Sequence, residues 1–151
     1  MSARSPWLLA GGLLSAAASL MHIGCIVRGP GWYRFFGAPE PLIRAAENGD
    51  PTLHWMTAGI ALILALWSAY AFAGAGLIGR LPLMRTALIA ISAIYLLRGL
   101  LIIPVLFEPD PAAFDIWSSL IVLVYGAVYA IGSWQAWNQL SQRKVSHALG
   151  S

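Results

Sequence analysis

Three side chains able to carry charge or exchange protons fall in stretches that are otherwise apolar. His22 stands in Met21-His22-Ile23-Gly24-Cys25, His54 in Leu53-His54-Trp55, and Arg98 in Tyr95-Leu96-Leu97-Arg98-Gly99. Imidazole titrates near neutral pH, so two histidines on neighbouring elements can pass protons or ligate a metal. A guanidinium keeps its charge and grips carboxylate or phosphate through two parallel hydrogen bonds. Glu108 and Asp115 follow Arg98 as possible partners, and Tyr95 and Tyr125 add hydroxyls nearby. A pocket built from His22, His54, Tyr95, Arg98, Glu108, Asp115 and Tyr125 suits a polar or anionic headgroup. It also suits acid–base chemistry if its carboxylates hold protons near neutral pH.

Plainer explanations compete at each position. A lone histidine among apolar neighbours is more often satisfied by a hydroxyl or a carbonyl than by a metal. No third ligand follows at metal spacing and there is no His-x-x-x-His pair, so no metal, haem or other cofactor is expected. The single cysteine, Cys25, has no partner for an internal disulfide or a Cys-x-x-Cys motif and reads as packing. His147 belongs to a polar tail and reads as solvated. Arg98 lies nine residues before Phe107, about 14 Å below the end of its helix at 1.5 Å per residue. That is a long way for one side chain to snorkel, and a charge at such depth commonly marks a ligand or partner contact.

The elements that hold these residues follow from composition. Of 151 residues, 59% are hydrophobic and 10% charged, against roughly a quarter charged in soluble domains. That is too little charge to coat a water-facing surface, and disorder needs the opposite balance. The net charge of +3 comes from scattered Lys and Arg with no run longer than Arg143-Lys144, which excludes a phosphate-tracking nucleic-acid surface. The expected fold is an all-α, four-helix transmembrane bundle in a single domain, because a spanning helix needs about 20 mostly apolar residues. The spans fall at about 6–27, 53–75, 83–107 and 114–137, with a connection at 28–52 and a polar tail at 138–151. Arg4 before an apolar stretch and Ala16-Ala17-Ala18 imitate a signal peptide, but the apolar run continues to Val27, so a spanning helix is expected. Asp50-Pro51 has the form of a helix start, and Pro104 is expected to kink the third span near its end.

Arg4, Arg80, Arg85, Arg143 and Lys144 fall on one side of such a bundle, and Arg28, Arg34 and Arg44 on the other. The excess favours the first side as cytoplasmic, giving an N-in/C-in topology. All six acids, Glu40, Glu47, Asp50, Glu108, Asp110 and Asp115, fall at the opposite face. The first connection is long for a structureless link. Its Gly31-Trp32-Tyr33-Arg34-Phe35-Phe36-Gly37 segment has the composition of a headgroup-level anchor. Glu40 to Asn48 has the pattern of a short amphipathic helix, with Glu40 and Arg44 four apart. This outer loop reads either as an anchor or as a lid. Ala61, Ala65, Ala69 and Ala73, and likewise Gly11, Ser15 and Ser19, are spaced by four and read as helix-packing stripes, within the chain or in a homo-oligomer. Ser118, Tyr125, Tyr129 and Ser133 line one face of the fourth span, and Ser92, Tyr95 and Arg98 one stripe of the third, which points to an interior that is not wholly dry.

The runs from Met21 to Val27, Trp32 to Ala38 and Tyr95 to Leu100 together resemble uncharacterised small four-helix inner-membrane proteins of proteobacteria, a likeness that covers most of the chain and implies the fold and a bacterial inner-membrane location, with its acidic face periplasmic, without an activity. More remotely, the chain is similar to the sterol-isomerase and sigma-2-receptor superfamily, also four helices with a long first loop and a polar step late in the first span, here Ser19 and His22. That superfamily carries acids in its first two spans and this chain carries none, which argues against isomerase chemistry. The leading expectation is a periplasm-facing polar pocket that binds a membrane lipid or an anionic, lipophilic small molecule. The alternatives are a non-catalytic subunit or assembly factor, joined to itself or to a partner membrane subunit, and an isomerase-like enzyme. A transporter is less supported, since no inverted repeat or broken helix pair is present.

Overall fold

In the computed structural model, residues 5–111 and 113–141 are described. Their order is α1 (Pro6–Arg28), α2 (Pro30–Phe35), α3 (Glu40–Glu47), α4 (Thr52–Gly74), α5 (Met84–Leu100), α6 (Ile102–Val105), α7 (Ala113–Gln135) and α8 (Trp137–Ser141). Among the described residues, four helices are long and apolar enough to cross a membrane: Pro6–Arg28, Thr52–Gly74, Met84–Val105 and Ala113–Gln135. Large apolar side chains face outward on all four, as with Leu13, Leu62 (71% exposed), Leu97 (65%) and Ile121. The interior holds small and hydroxylated residues, including Ser15, Ser19, Thr57, Ser68, Ser92, Ser119 and Ser133, beside a few large apolar ones such as Leu8, Leu88 and Ile91. That is the distribution expected when the surrounding solvent is hydrocarbon and helices associate through close packing and hydrogen bonds.

Packing proceeds in two antiparallel pairs, α1 with α4 and α5 with α7, joined mainly through α1 against α7. The second pair closes at glycine. A Cβ on Gly99 would lie 2.7 Å from the Leu123 Cα, and one on Gly126 would lie 2.8 Å from the Leu96 nitrogen, so only hydrogen lets these backbones meet. The small-residue stripe of α1 is used inside the bundle. Ser19 donates to the Ala61 carbonyl and Ser68 donates to the Gly12 carbonyl, both at 2.8 Å. In α4, Ala61 and Ala73 are buried while Ala65 is exposed. Leu8 meets Gly132 and Gly74, which places the start of α1, the end of α4 and the end of α7 at one end of the bundle. This is the terminal end; the opposite one is the cap end.

The third span breaks ahead of Pro104, as a proline there removes the N–H that would bond the Leu100 carbonyl and crowds that carbonyl. The Leu101 N–H reaches back to the Arg98 (3.3 Å) and Gly99 carbonyls, and α6 resumes for one turn. At the start of α4, the Asp50 carboxylate accepts from the Thr52 backbone N–H (2.9 Å) and hydroxyl (2.6 Å). These two bonds, the hydroxyl's first, hold the Asp50 carboxyl below its ordinary range.

Helices α2 and α3 fold over the cap end. Tyr33 and Ile43 are buried against Cys25 of α1 and Leu53 of α4, with Phe36, Leu42 and Ala46 around them. Gly37 has φ +70° and the Phe114 ring lies where a Cβ would stand, so this turn brings the cap to the start of α7. Leu83 carries a left-handed backbone (φ 53°, ψ 30°) just before α5, a conformation that costs an L side chain about 1–2 kcal/mol.

Candidate functional site

The polar side chains of the spans divide into three groups at different depths. The deepest is a hydroxyl network that touches every spanning helix. Ser15 Oγ lies 2.9 Å from Tyr95 Oη and 2.8 Å from Tyr129 Oη. Tyr129 also donates to the Trp67 carbonyl at 3.2 Å. Each hydroxyl has one proton, which fixes the direction. Tyr129 spends its proton on Trp67, so it accepts from Ser15, and Ser15 in turn accepts from Tyr95. Tyr125 donates separately to the Leu14 carbonyl at 3.2 Å. The rings of Tyr95, Tyr125, Tyr129 and Trp67 stack edge-on or tilted, with Tyr95 4.8 Å from Trp67 and 5.5 Å from each of the other two. Every proton in this chain has an acceptor, so the cluster acts as a lock between helices and leaves no hydroxyl proton for a ligand.

The second group is the cap. Arg34 donates to Glu40 (3.2 and 3.3 Å) and Glu47 (2.9 Å), and Arg44 to Glu40 (3.4 Å). The Arg34 bond, more than that from Arg44, holds the Glu40 carboxyl below its ordinary range, while the two glutamates push the Arg34 guanidinium up. Beneath these exposed ion pairs, the Tyr33 and His54 rings meet edge-on at 5.6 Å. The Tyr33 hydroxyl is buried and has no hydrogen-bond partner among the described residues.

The third group surrounds Arg98. This residue is exposed on α5, seven residues before Val105, about 10 Å inside the end of the third span. Its Nη1 donates to the hydroxyl of fully buried Ser119 at 3.4 Å. Among the described residues it forms no ion pair, and Glu108 and Asp115 lie exposed in the adjoining turn and first turn of α7 without one. An exposed cation at this depth, held by one neutral hydroxyl, retains most of its capacity to bind an anion.

The seven residues singled out from the sequence therefore separate. Tyr95 and Tyr125 meet each other in the hydroxyl network. His54 packs on Tyr33 under the cap. His22, half-buried, places Nδ1 2.7 Å from the Ala18 carbonyl of its own helix. Arg98 bonds Ser119, and Glu108 and Asp115 stay on the rim. Among the described residues no group of three His, Cys, Asp or Glu side chains comes together to hold a metal. Sequence reasoning placed Ser15 in a packing stripe and left Ser119 unmentioned. Ser119 neighbours the marked Ser118, and Tyr129 stood in the marked polar face, so weak signals existed for both. Compared with known proteins, the chain matches no family model, no curated protein and no solved structure.

Proposed function

We propose that this chain is a small multi-pass protein of a bacterial inner membrane, with both termini cytoplasmic, whose periplasmic cap end binds an anionic, lipid-like molecule at Arg98. The observation that carries this reading is the Arg98 guanidinium itself, exposed about 10 Å inside a span with a serine as its partner. Placing an arginine within a span costs about 2.5–3.5 kcal/mol at the bilayer centre on insertion scales. A phosphate or carboxylate supplied from the outer leaflet offsets that cost through charge-assisted, bidentate hydrogen bonds. Ser119 orients the guanidinium from behind, and Glu108 and Asp115 line the rim, where they disfavour a second anion.

Lipid copurification tests the reading. The wild type should retain anionic phospholipid through detergent purification, Arg98→Leu should lose it, and Arg98→Lys should retain part of it. Inorganic phosphate, added as a competitor, separates a free anion from a lipid headgroup and should displace little. An unchanged lipid profile in folded Arg98→Leu protein would sink the proposal. The small-residue stripe of α1, which made an oligomeric subunit attractive, is occupied by α4 and α7, so it lends that alternative no support.

A further inference from the structure

Every glycine within the four spans except Gly59 is pressed against another part of the chain: a Cβ at each would fall under 3.0 Å from a neighbouring atom. Gly59, exposed in the cap half of α4, has nothing within 4 Å of that position among the described residues. Glycine inside a helix is unfavourable relative to alanine, and nothing in the chain's own packing accounts for it here.

Gly59 borders an opening between α4 and the third span. In the terminal half these helices meet: Trp67 stacks on Tyr95 at 4.8 Å, and Leu88 packs over Gly74. Met56, Ile60 and Ile63 continue the same face of α4 toward the cap, and all three are exposed. The third span leans away from them, with α6 packed on α7. Arg98, one turn beyond Tyr95 on α5, is exposed beside this opening and reaches Ser119 at 3.4 Å. Gly99 faces Leu123, so Ser119 lies about one turn nearer the cap than Gly99. Equal steps along the two helices from the Trp67–Tyr95 contact place Gly59 near that level on α4. The guanidinium and the glycine therefore stand at about the same depth on the two sides of the opening.

We infer that this opening seats a glycerophospholipid with an anionic headgroup, its phosphate on Arg98, its glycerol esters over Gly59 and one acyl chain along Ile63 and Leu66. The inference rests on anion binding at Arg98 and gives that ligand its class. Three observations select the occupant. The Arg98 guanidinium forms no ion pair among the described residues, which leaves its charge for a phosphate. The bulkiest part of such a lipid beside its phosphate is the glycerol with its two esters, and the missing side chain at Gly59 leaves room for it. Gly59, Ile63 and Leu66 share one exposed stripe about 10 Å long, leading from that level toward the middle of the bilayer as a chain of the cap-side leaflet does. A second helix is a poorer fit. Close helix crossings need small residues on successive turns, whereas Trp55 and Ile63, four residues to either side of Gly59, are large and exposed.

The full chain, Gly59→Leu, Gly59→Ala and Arg98→Leu are each titrated in neutral detergent with phosphatidylglycerol or oleate and followed by native mass spectrometry. Gly59→Leu enters open space, so its helical circular dichroism and thermal unfolding without lipid should match the wild type. Its isobutyl group should weaken phosphatidylglycerol binding by about ten-fold or more, and the single methyl of Gly59→Ala by about two- to three-fold. Oleate carries no glycerol and should bind Gly59→Leu and wild type alike. Arg98→Leu should lose phosphatidylglycerol, and its failure to do so would overturn the anion site itself. Loss in Arg98→Leu with undiminished phosphatidylglycerol binding by both Gly59 variants would leave that site standing and overturn the inference drawn here. Equal loss of oleate and phosphatidylglycerol in Gly59→Leu, or a wild-type dimer that Gly59→Leu dissociates, would overturn it as well.

Discussion

The proton order Tyr95 to Ser15 to Tyr129 to Trp67 makes substitutions along the chain unequal, although the Ser15 bonds differ by only 0.1 Å. Tyr95→Phe removes the first donor and strands nothing, since Ser15 still donates to Tyr129. Its cost should be one intramembrane hydrogen bond, about 0.6 kcal/mol on average. Ser15→Ala removes the acceptor of the Tyr95 proton in a residue only 5% exposed, while Tyr129 keeps its bond to Trp67. An orphaned buried donor costs about 1–3 kcal/mol, so Ser15→Ala should cost two- to five-fold more than Tyr95→Phe. Combining the two removes the orphan. The double variant should then be no less stable than Ser15→Ala alone, giving a coupling that cancels most of the sum. Reversible unfolding of the four proteins in mixed micelles with increasing sodium dodecyl sulfate, followed by circular dichroism, measures all four corners of this cycle. A Tyr95→Phe cost equal to or above that of Ser15→Ala, or simple additivity, would refute the proton order and with it the view of this cluster as a satisfied lock.

Other outcomes follow from single contacts. Gly99→Ala sets a methyl 2.7 Å from the Leu123 Cα and should cost about 1–3 kcal/mol or more in the same titration, with loss of the α5–α7 contact in distance measurements between labelled helices. Leu83→Gly relieves a left-handed leucine that is 77% exposed and should stabilise by about 0.5 kcal/mol, less than the full strain because glycine also loosens the unfolded chain. Glu40 is held below its ordinary range in the folded cap, so its contribution is present above the unfolded carboxylate value of about 4.3 and is lost as pH falls through the lowered folded value. Hydrogen-exchange protection over α2 and α3, relative to the intrinsic rate at each pH, should therefore fall below about pH 4 while the spans stay protected, and Glu40→Gln should flatten that dependence.

The four spanning helices were legible because bulk composition determines them: about 20 apolar residues in a row admit few other structures. The Pro104 break was legible because the missing N–H acts locally. The hydroxyl network was not, since Ser15 meets Tyr95 and Tyr129 from 80 and 114 residues away, and a serine spaced by four from Gly11 and Ser19 looks identical whether it packs or bonds. Charge pointed from Arg98 to Glu108 and Asp115, whereas the break ahead of α6 and the turn of α7 bring the neutral Ser119 within reach instead. Arg80 and Arg85 read in sequence only as markers of orientation. The stacking of Arg85 over the Trp137 ring depends on the return of α8 against α5.

A distance between the Arg98 guanidinium and a lipid phosphorus is the most direct test of anion binding at the cap end. Nitrogen–phosphorus dipolar recoupling on arginine-labelled protein in phosphatidylglycerol bilayers, compared with Arg98→Lys, isolates the signal of this one side chain. The Arg98 binding site predicts dephasing of guanidinium nitrogens by phosphorus that is present in the wild type and missing from the variant. Identical dephasing in both would contradict it.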